Sequence, residues 1–200
     1  MKLLIATTNR GKLGEVRSLL AGAPFELVTL EDVGAAAPEE TGTTFAENAA
    51  LKANAGARHA RLWTLGDDSG LCVDALDGRP GLASARYDTT EERRREKLLR
   101  ELADVPAERR DAHFFCALSL VAPDGKSWAT TGRCDGKIAF AARGTQGFGY
   151  DPLFELPDGR TLAELSADDK NRISHRGRAF AEMVRAMLQI PELTGRSAAW

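Results

Sequence analysis

This sequence of 200 residues has few cysteines, no long apolar run and a small net charge. The three cysteines, Cys72, Cys116 and Cys134, are widely spaced and form no C-x-x-C pair, which argues against a zinc site and a disulfide framework. We therefore expect reduced thiols in a cytosolic core. No apolar run is long enough to cross a membrane, and the apolar start at residues 3–7 is too short for a signal peptide.

A formal charge of −2 does not provide the basic field with which proteins generally bind nucleic-acid phosphates. Internal repeats, low-complexity segments and linker-like stretches are also missing from the sequence. Hydrophobic residues make up 43% of the chain, which is enough for one full core at this length. These features predict a cytoplasmic single domain over residues 1–200, with neither a membrane nor a nucleic-acid partner.

One apolar run stops at two adjacent acids, Asp67 and Asp68, and resumes at Leu71. Neighbouring carboxylates repel each other, so a buried pair needs a cation or a proton between them. Gly66 and Gly70 permit a sharp bend and a close approach of the backbone to a ligand. One interpretation is a strand end that presents Asp68, with Asp67, to a divalent metal. The other is an acidic surface turn.

A polar segment at residues 8–12 separates the apolar start from apolar residues at helical spacing. At such a strand-to-helix junction, backbone N–H groups and the helix dipole favour an anion, and Lys12 adds a positive charge. The segment is not a Walker motif, because Ala6 and Leu13 replace the required Gly and Ser or Thr. Taken alone, it fits a phosphate-binding loop or an ordinary turn capped by Asn9.

Two further helices are predicted in the first half of the chain. The first begins at the capping box Thr44-Phe45-Ala46-Glu47, which assigns Glu47 to capping, and continues to about residue 62. Asn48 and Lys52 are four residues apart on it and share a face, from which Lys52 could reach a phosphate or stay in solvent. The second covers residues 89–103, where mixed charges such as Glu91 with Arg95 are typical of a solvated face.

Strand patterns follow the apolar start at several places. They occupy residues 26–30, 73–76, 114–121, 127–134 and 137–140. The turn signal Pro123-Asp124-Gly125 predicts that two of these runs form a hairpin.

The glycine-rich loop at residues 144–152 surrounds Phe148, so its ring either stacks on a flat ligand or fills the core. His175 and Arg176 lie in the first turn of a predicted helix, where cations oppose the helix dipole, which indicates a negative or acceptor-rich partner. His59 and His113 have no such context, and we expect them to be structural.

Six segments in this order resemble the motifs of the inosine triphosphate pyrophosphatase family, also called XTP/dITP diphosphatases. They are Ala6–Lys12, Glu39–Ala49, Asp67–Leu71, Gly81–Tyr87, Gly147–Pro152 and Ser174–Arg176. Each segment is weak evidence alone, whereas the ordered set spans nearly the whole chain and is highly specific. Thr8 departs from the Gly or Asn that many members carry.

The resemblance implies an α/β fold, with an elongated mixed β-sheet flanked by helices, two lobes and a central active-site cleft, usually in a homodimer. It also implies hydrolysis of the purine nucleoside triphosphates ITP, dITP and XTP between the α- and β-phosphates, with Mg²⁺ as cofactor. The products are the monophosphate and pyrophosphate, so deaminated purines leave the nucleotide pool.

By the same resemblance, the metal carboxylates are Glu39 and Asp68, and Asp68 is also the proton acceptor. Glu39 is preferred to the adjacent Glu40 because it directly follows Pro38. The remaining implied residues contact the substrate. They are Thr7, Thr8, Asn9, Arg10, Gly11, Lys12 and Lys52 for the triphosphate, Ser69, and Phe148, Gly149, Tyr150, Asp151, Lys170, His175 and Arg176 for the base and sugar.

Three alternatives remain at this stage. A hydrolase of the same architecture could act on modified pyrimidine or other nucleotides. A P-loop kinase or NTPase is disfavoured by Ala6 and Leu13. A nucleotide-sensing module without catalysis is disfavoured by the acidic pair.

Overall fold

A computed structural model describes residues 1–194, which contain six strands and six α-helices. The strands are β1 (Lys2–Ile5), β2 (Glu26–Thr29), β3 (Trp63–Val73), β4 (Asp111–Val121), β5 (Ser127–Ile138) and β6 (Phe154–Glu155). The helices are α1 (Arg10–Leu19), α2 (Phe45–Ala60), α3 (Glu91–Glu101), α4 (Ala167–Ile173), α5 (His175–Leu188) and α6 (Pro191–Thr194). Single turns of 3₁₀-helix occur at Asp74–Leu76, Ala107–Arg109 and Leu162–Glu164, and a longer one at Gly81–Arg86.

All six strands belong to one sheet in the order β2-β1-β3-β4-β5-β6. β1 pairs in parallel with both β2 and β3, whereas β5 and β6 are antiparallel. The predicted mixed sheet with flanking helices is therefore confirmed. Across the described residues 1–194, none of the helices combines the length and the apolarity that a membrane crossing requires.

By its internal contacts the chain divides into two compact units. Unit 1 contains residues 1–68, 117–132 and 178–194 of the described chain. Unit 2 contains residues 69–116 and 133–177. The boundary in β3 therefore falls between Asp68 and Ser69.

Unit 1 is built on short apolar strands that α2 covers. Leu4, Ala6, Val28 and Leu30 form one buried cluster, and Ala53, Ala57 and Val121 form another. Small residues let α2 approach β3 closely. A Cβ on Gly66 would lie 2.2 Å from the carbonyl oxygen of Ala49. The close approach that we expected at Gly66 thus serves helix packing rather than a ligand.

Unit 2 has an apolar core of its own. It contains Leu71, Val73, Leu76, Leu98, Leu102, Ala112, Phe114, Cys134, Ile138, Tyr150, Leu153, Phe154, Leu156, Leu162 and Leu165. The Tyr150 hydroxyl donates a hydrogen bond to the Ser84 carbonyl oxygen over 3.0 Å, which satisfies its polar end in this core. Burial raises the pKa of Tyr150 well above its ordinary value of 10.0.

Most predicted elements are present, and three predictions were wrong. The acidic pair lies inside β3, neither at a strand end nor in a surface turn. Residues 74–76 form a 3₁₀ turn instead of a strand, and residues 137–140 contribute only the end of β5. The predicted hairpin is confirmed, since β4 and β5 are adjacent and joined through the Pro123-Asp124-Gly125 turn.

Candidate active site

The two adjacent acids of β3 are both buried, at 2% exposure for Asp67 and 6% for Asp68. Each is paired with its own lysine. Lys12 Nζ lies 2.7 Å from Asp67 Oδ1, and Lys52 Nζ lies 2.7 Å from Asp68 Oδ1. Successive side chains of a strand point to opposite faces, so neighbouring acids can meet different cations. The cations that the sequence required between these carboxylates are thus supplied by the chain itself.

Lys52 joins the acids of β3 to the loop that precedes α2. Its ammonium lies 2.6 Å from Glu40 Oε1 and donates to the Asp67 carbonyl oxygen over 3.1 Å. Burial lowers the pKa of Lys52, but the charges and hydrogen bonds of Asp68 and Glu40 outweigh burial and raise the pKa above 10.5. Lys52 is therefore a buried, fully charged cation and not a solvated one.

Glu40, and not Glu39, is the loop acid that reaches this cluster. The Glu40 side chain is largely buried and shares Lys52 with Asp68, whereas Glu39 is exposed. The sequence-based preference for Glu39 rested on its position after Pro38, which does not determine where a side chain points. The geometry favours Glu40 as the partner of Asp68.

Asn48 is a member of the cluster that sequence reasoning did not assign to the site. Its amide nitrogen donates to Asp68 Oδ2 over 3.3 Å, and its amide oxygen accepts the backbone N–H of Gly42 over 2.8 Å. The sequence feature that could have identified Asn48 was its spacing from Lys52, because residues i and i+4 of a helix share a face. Both side chains contact Asp68. Asn48 thus links the Glu40 loop to the acid on β3.

The segment from Thr7 to Lys12 connects β1 to α1 as predicted. Asn9 caps α1 by accepting the backbone N–H of Lys12 over 3.1 Å, and Thr7 Oγ1 accepts the backbone N–H of Asn9 over 3.2 Å. Within Arg10–Leu19 the first turn carries no acidic residue, so the positive end of the helix dipole is not neutralised locally. Thr8 and Arg10 are exposed and Gly11 is half-buried. This end of α1 can accept an anion.

In unit 2, the loop around Phe148 is held by a buried ion pair. Lys170 Nζ contacts Asp151 Oδ2, and the same oxygen accepts the backbone N–H of Phe148 over 2.8 Å. Gly147 has a φ of 74°, in the left-handed region that favours glycine, and a Cβ there would lie 2.1 Å from Asp151 Oδ2. The half-buried Phe148 ring lies under the Lys170 ammonium, 5.2 Å from nitrogen to ring centroid. The loop therefore presents an aromatic face beside a cation.

The predicted cations at the start of α5 are buried in unit 2. Arg176 is 1% exposed, and its guanidinium donates to Ser69 Oγ over 2.6 Å. The Ser69 hydroxyl on β3 is thus an acceptor of the kind that the position of Arg176 predicted. His175 is also buried, and its ring stacks on Phe114 with centroids 4.6 Å apart.

The structure brings the predicted site residues into two groups, one in each unit. The first joins Lys12, Lys52, Asp67 and Asp68 with Glu40 and Asn48. The second joins Phe148, Asp151 and Lys170 with Arg176, whose guanidinium lies 5.9 Å from the Phe148 ring centroid and also binds Ser69. Tyr150 directs its hydroxyl into the core of unit 2, and Gly149 contributes only backbone atoms. Within residues 1–194, no three His, Cys, Asp or Glu side chains cluster closely enough to hold a metal by themselves.

Comparison with known proteins identifies the family. A dITP/XTP pyrophosphatase from Symbiobacterium thermophilum is 48% identical over 96% of this chain and 96% of its own length. One from Geobacter sulfurreducens is 49% identical, over 90% and 93%. The solved structure of a HAM1 protein from Coxiella burnetii is 36% identical with a TM-score of 0.86, covering 95% of this chain and 100% of that one. The sequence model of the Ham1 family matches residues 3–186, and this chain belongs to that family.

Proposed function

We propose that this chain hydrolyses the triphosphates of deaminated purines, ITP, dITP and XTP, to the monophosphate and pyrophosphate. Its relatives named dITP/XTP pyrophosphatase align along nearly their whole length and support this reaction class. The observation that carries the proposal is the buried cluster in unit 1, where Lys12 and Lys52 face Asp67 and Asp68. Buried carboxylates and ammonium groups beside a helix N-terminus suit the chemistry of phosphate esters.

The donor set of this cluster fits Mg²⁺. Oxygens of Glu40 and Asp68 already share one cation, the Lys52 ammonium, at 2.6 and 2.7 Å. Mg²⁺ in nucleotide enzymes is usually held by one or two carboxylates together with substrate phosphates and water. Glu40 and Asp68 would hold the ion here. When bound, Mg²⁺ would neutralise the charge of the triphosphate.

The remaining steps belong to residues of the chain. Asp68 accepts the proton of the attacking water as the water oxygen forms a bond to the α-phosphorus. The bond from this phosphorus to the bridging oxygen breaks, and its electron pair leaves with pyrophosphate. Lys12 and Lys52 stabilise the charge that develops on that leaving group. Asn9 and the N–H groups at the start of α1 orient the phosphates.

We assign recognition of the base to Phe148, His175 and Arg176. Phe148 stacks on the purine, and donors of His175 and Arg176 meet the C6 carbonyl of hypoxanthine or xanthine. Adenine has an amino donor at this position, and a buried polar group without a partner costs about 1–3 kcal/mol. Two such mismatches amount to roughly a thousandfold preference over ATP.

We further propose that the enzyme is cytoplasmic, homodimeric and Mg²⁺-dependent, with the purine nucleotide as its partner and neither nucleic acid nor membrane. The cytoplasmic assignment is supported by the cysteines, since Cys72, Cys116 and Cys134 are all thiols in the structure.

A substrate panel tests the proposed function. ITP, dITP, XTP, ATP, GTP and modified pyrimidine triphosphates are incubated with and without Mg²⁺, and pyrophosphate and phosphate are measured separately. We expect pyrophosphate from the deaminated purines, only with Mg²⁺. Release of phosphate would indicate a P-loop-type NTPase, preference for a pyrimidine would indicate the related hydrolase, and no turnover would indicate a binding module.

A further inference from the structure

Two charged residues of α3 bind both polar atoms of one backbone residue in the Phe148 loop. Glu91 Oε2 accepts the backbone N–H of Gly149 over 2.9 Å, and Arg95 Nη1 donates to the Gly149 carbonyl oxygen over 2.7 Å. All these residues belong to unit 2. The contacts join positions 58 and 54 residues apart in the chain, so they are tertiary and not local.

Glu91 and Arg95 both lie closer to Gly149 than to each other, although the sequence predicted an ion pair between them. The shortest separation between the Arg95 guanidinium and Glu91 Oε2 is 3.8 Å, which is longer than either contact with Gly149. The Arg95 side chain is only 18% exposed. The predicted i,i+4 pair is therefore present and Glu91 is 42% exposed, but the Arg95 side chain does not lie on a solvated face. Periodicity along a helix does not reveal what packs against it.

Gly149 directly follows Phe148, and its backbone has a φ of 62°, in the left-handed region that favours glycine. On the other side, the backbone N–H of Phe148 is bound by Asp151. The loop is therefore fixed by a carboxylate at Phe148 and by a carboxylate and a guanidinium at Gly149. Hydrogen bonds to charged groups are stronger than those between neutral groups. Together they determine where the Phe148 ring lies.

We propose that Glu91 and Arg95 are positioning residues that hold the Phe148 ring for stacking on the purine base. This inference rests on the proposed function, which assigns the base to Phe148. Because stacking holds the base and takes no part in bond breaking, losing the clamp should weaken substrate binding while turnover at saturation persists. Binding of a polyphosphate that has no base should be unaffected by this loss.

The test compares Arg95→Met and Glu91→Gln with Arg93→Met as a matched control. Arg93 is an exposed residue of the same helix. For each variant, kcat and KM for ITP are measured together with the inhibition constant of tripolyphosphate, which has no base. We expect Arg95→Met to raise KM about three- to tenfold, Glu91→Gln to raise it less, and kcat to change less than about twofold. The tripolyphosphate constant should stay unchanged in every variant.

Phe148→Ala separates the failure of this inference from the failure of the base assignment. An unchanged KM in Phe148→Ala would overturn the base assignment and, with it, the clamp. A raised KM in Phe148→Ala with an Arg95→Met value equal to that of Arg93→Met would overturn the clamp alone. An equal rise of KM and the tripolyphosphate constant in Arg95→Met would show general disruption and also overturn it. Arg95→Lys retains a donor and should recover part of the lost affinity.

Discussion

The Asn48 amide donates a hydrogen bond to Asp68 Oδ2, while the other carboxylate oxygen of Asp68 accepts the Lys52 ammonium. Each oxygen of the proposed proton acceptor thus has its own donor from α2. The Asn48 amide is itself oriented by the Gly42 N–H, and Asn48 is only 1% exposed. Asn48 is placed to fix the rotamer of Asp68 rather than to contact substrate.

Replacement of Asn48 tests this relationship. Asn48→Leu removes a hydrogen bond to a charged group, worth about 1.5–3 kcal/mol, so we expect kcat to fall roughly 10- to 100-fold. Asn54→Leu is the control, since Asn54 lies on the same helix and donates to the Ala50 carbonyl oxygen. Steady-state kinetics with ITP provide the measurement. Equal rates for the two variants would remove Asn48 from the support of Asp68.

Asp68→Asn should abolish turnover and leave the fold intact. The substitution removes the proton acceptor, a role worth about 10²- to 10⁴-fold. Lys52 would keep Glu40 and the Asp67 carbonyl oxygen as partners, so no buried cation loses all its acceptors. Turnover is measured alongside the urea midpoint, with the exposed Asp104→Asn as control. Full residual activity in Asp68→Asn would exclude Asp68 from the mechanism.

The matched variants Glu40→Gln and Glu39→Gln test which of the two glutamates supplies, with Asp68, the second carboxylate of the proposed Mg²⁺ site. Glu40 shares Lys52 with Asp68, whereas Glu39 is exposed. We expect Glu40→Gln to raise the Mg²⁺ concentration for half-maximal activity tenfold or more, in the range typical for damaged metal sites. Glu39→Gln should change it less than about twofold. The reverse order in a Mg²⁺ titration would restore the assignment to Glu39.

Local signals in the sequence predicted the elements that carry the site. The Thr44–Glu47 capping box, the Pro123–Gly125 turn and the strand-to-helix junction at Asn9 are all present. In each of these, residues close in the chain make the hydrogen bonds that define the structure. Such features can be predicted because no distant partner decides them.

Contacts between residues far apart in the chain determine the features that local sequence patterns could not predict. Asp67 and Asp68 have turn propensity, yet they lie in a strand because Lys12 and Lys52, 55 and 16 residues away, neutralise them. Glu39 and Glu40 are chemically identical neighbours, and only the position of Lys52 distinguishes them. The roles of Glu91 and Arg95 likewise depend on Gly149, which no pattern on α3 reveals.

Gly66→Ala tests whether close packing of α2 against β3 positions Asn48 and Lys52. The added Cβ would lie 2.2 Å from the Ala49 carbonyl oxygen, so α2 must shift. We expect a loss of about 1–3 kcal/mol in the free energy of unfolding, as for other overpacked sites. Activity should fall as well.

Gly14→Ala is the control in α1, because its Cβ would meet nothing within 4 Å. Helical Gly14→Ala should be neutral or stabilising by up to about 1 kcal/mol. Urea denaturation measures the free energy of unfolding of both variants. Similar losses of this free energy in Gly66→Ala and Gly14→Ala would contradict the packing argument.

The capping box of α2 predicts a pH dependence of stability below the neutral range. Hydrogen bonds from the Thr43 side chain and backbone, together with those from Thr44, lower the pKa of Glu47 below its ordinary value of 4.5. A lowered folded-state pKa means that the ionised carboxylate stabilises the fold. This contribution is complete above about pH 4.5 and is lost as the pH falls through the lower folded-state value.

Glu47→Gln should therefore be less stable than the native chain at pH 6 and approach it as the pH falls below 4.5. Glu108→Gln, at an exposed position, serves as the control. Urea midpoints between about pH 3 and pH 7 provide the measurement. A stability difference that stays constant across this range would show that the Glu47 charge contributes nothing to the cap.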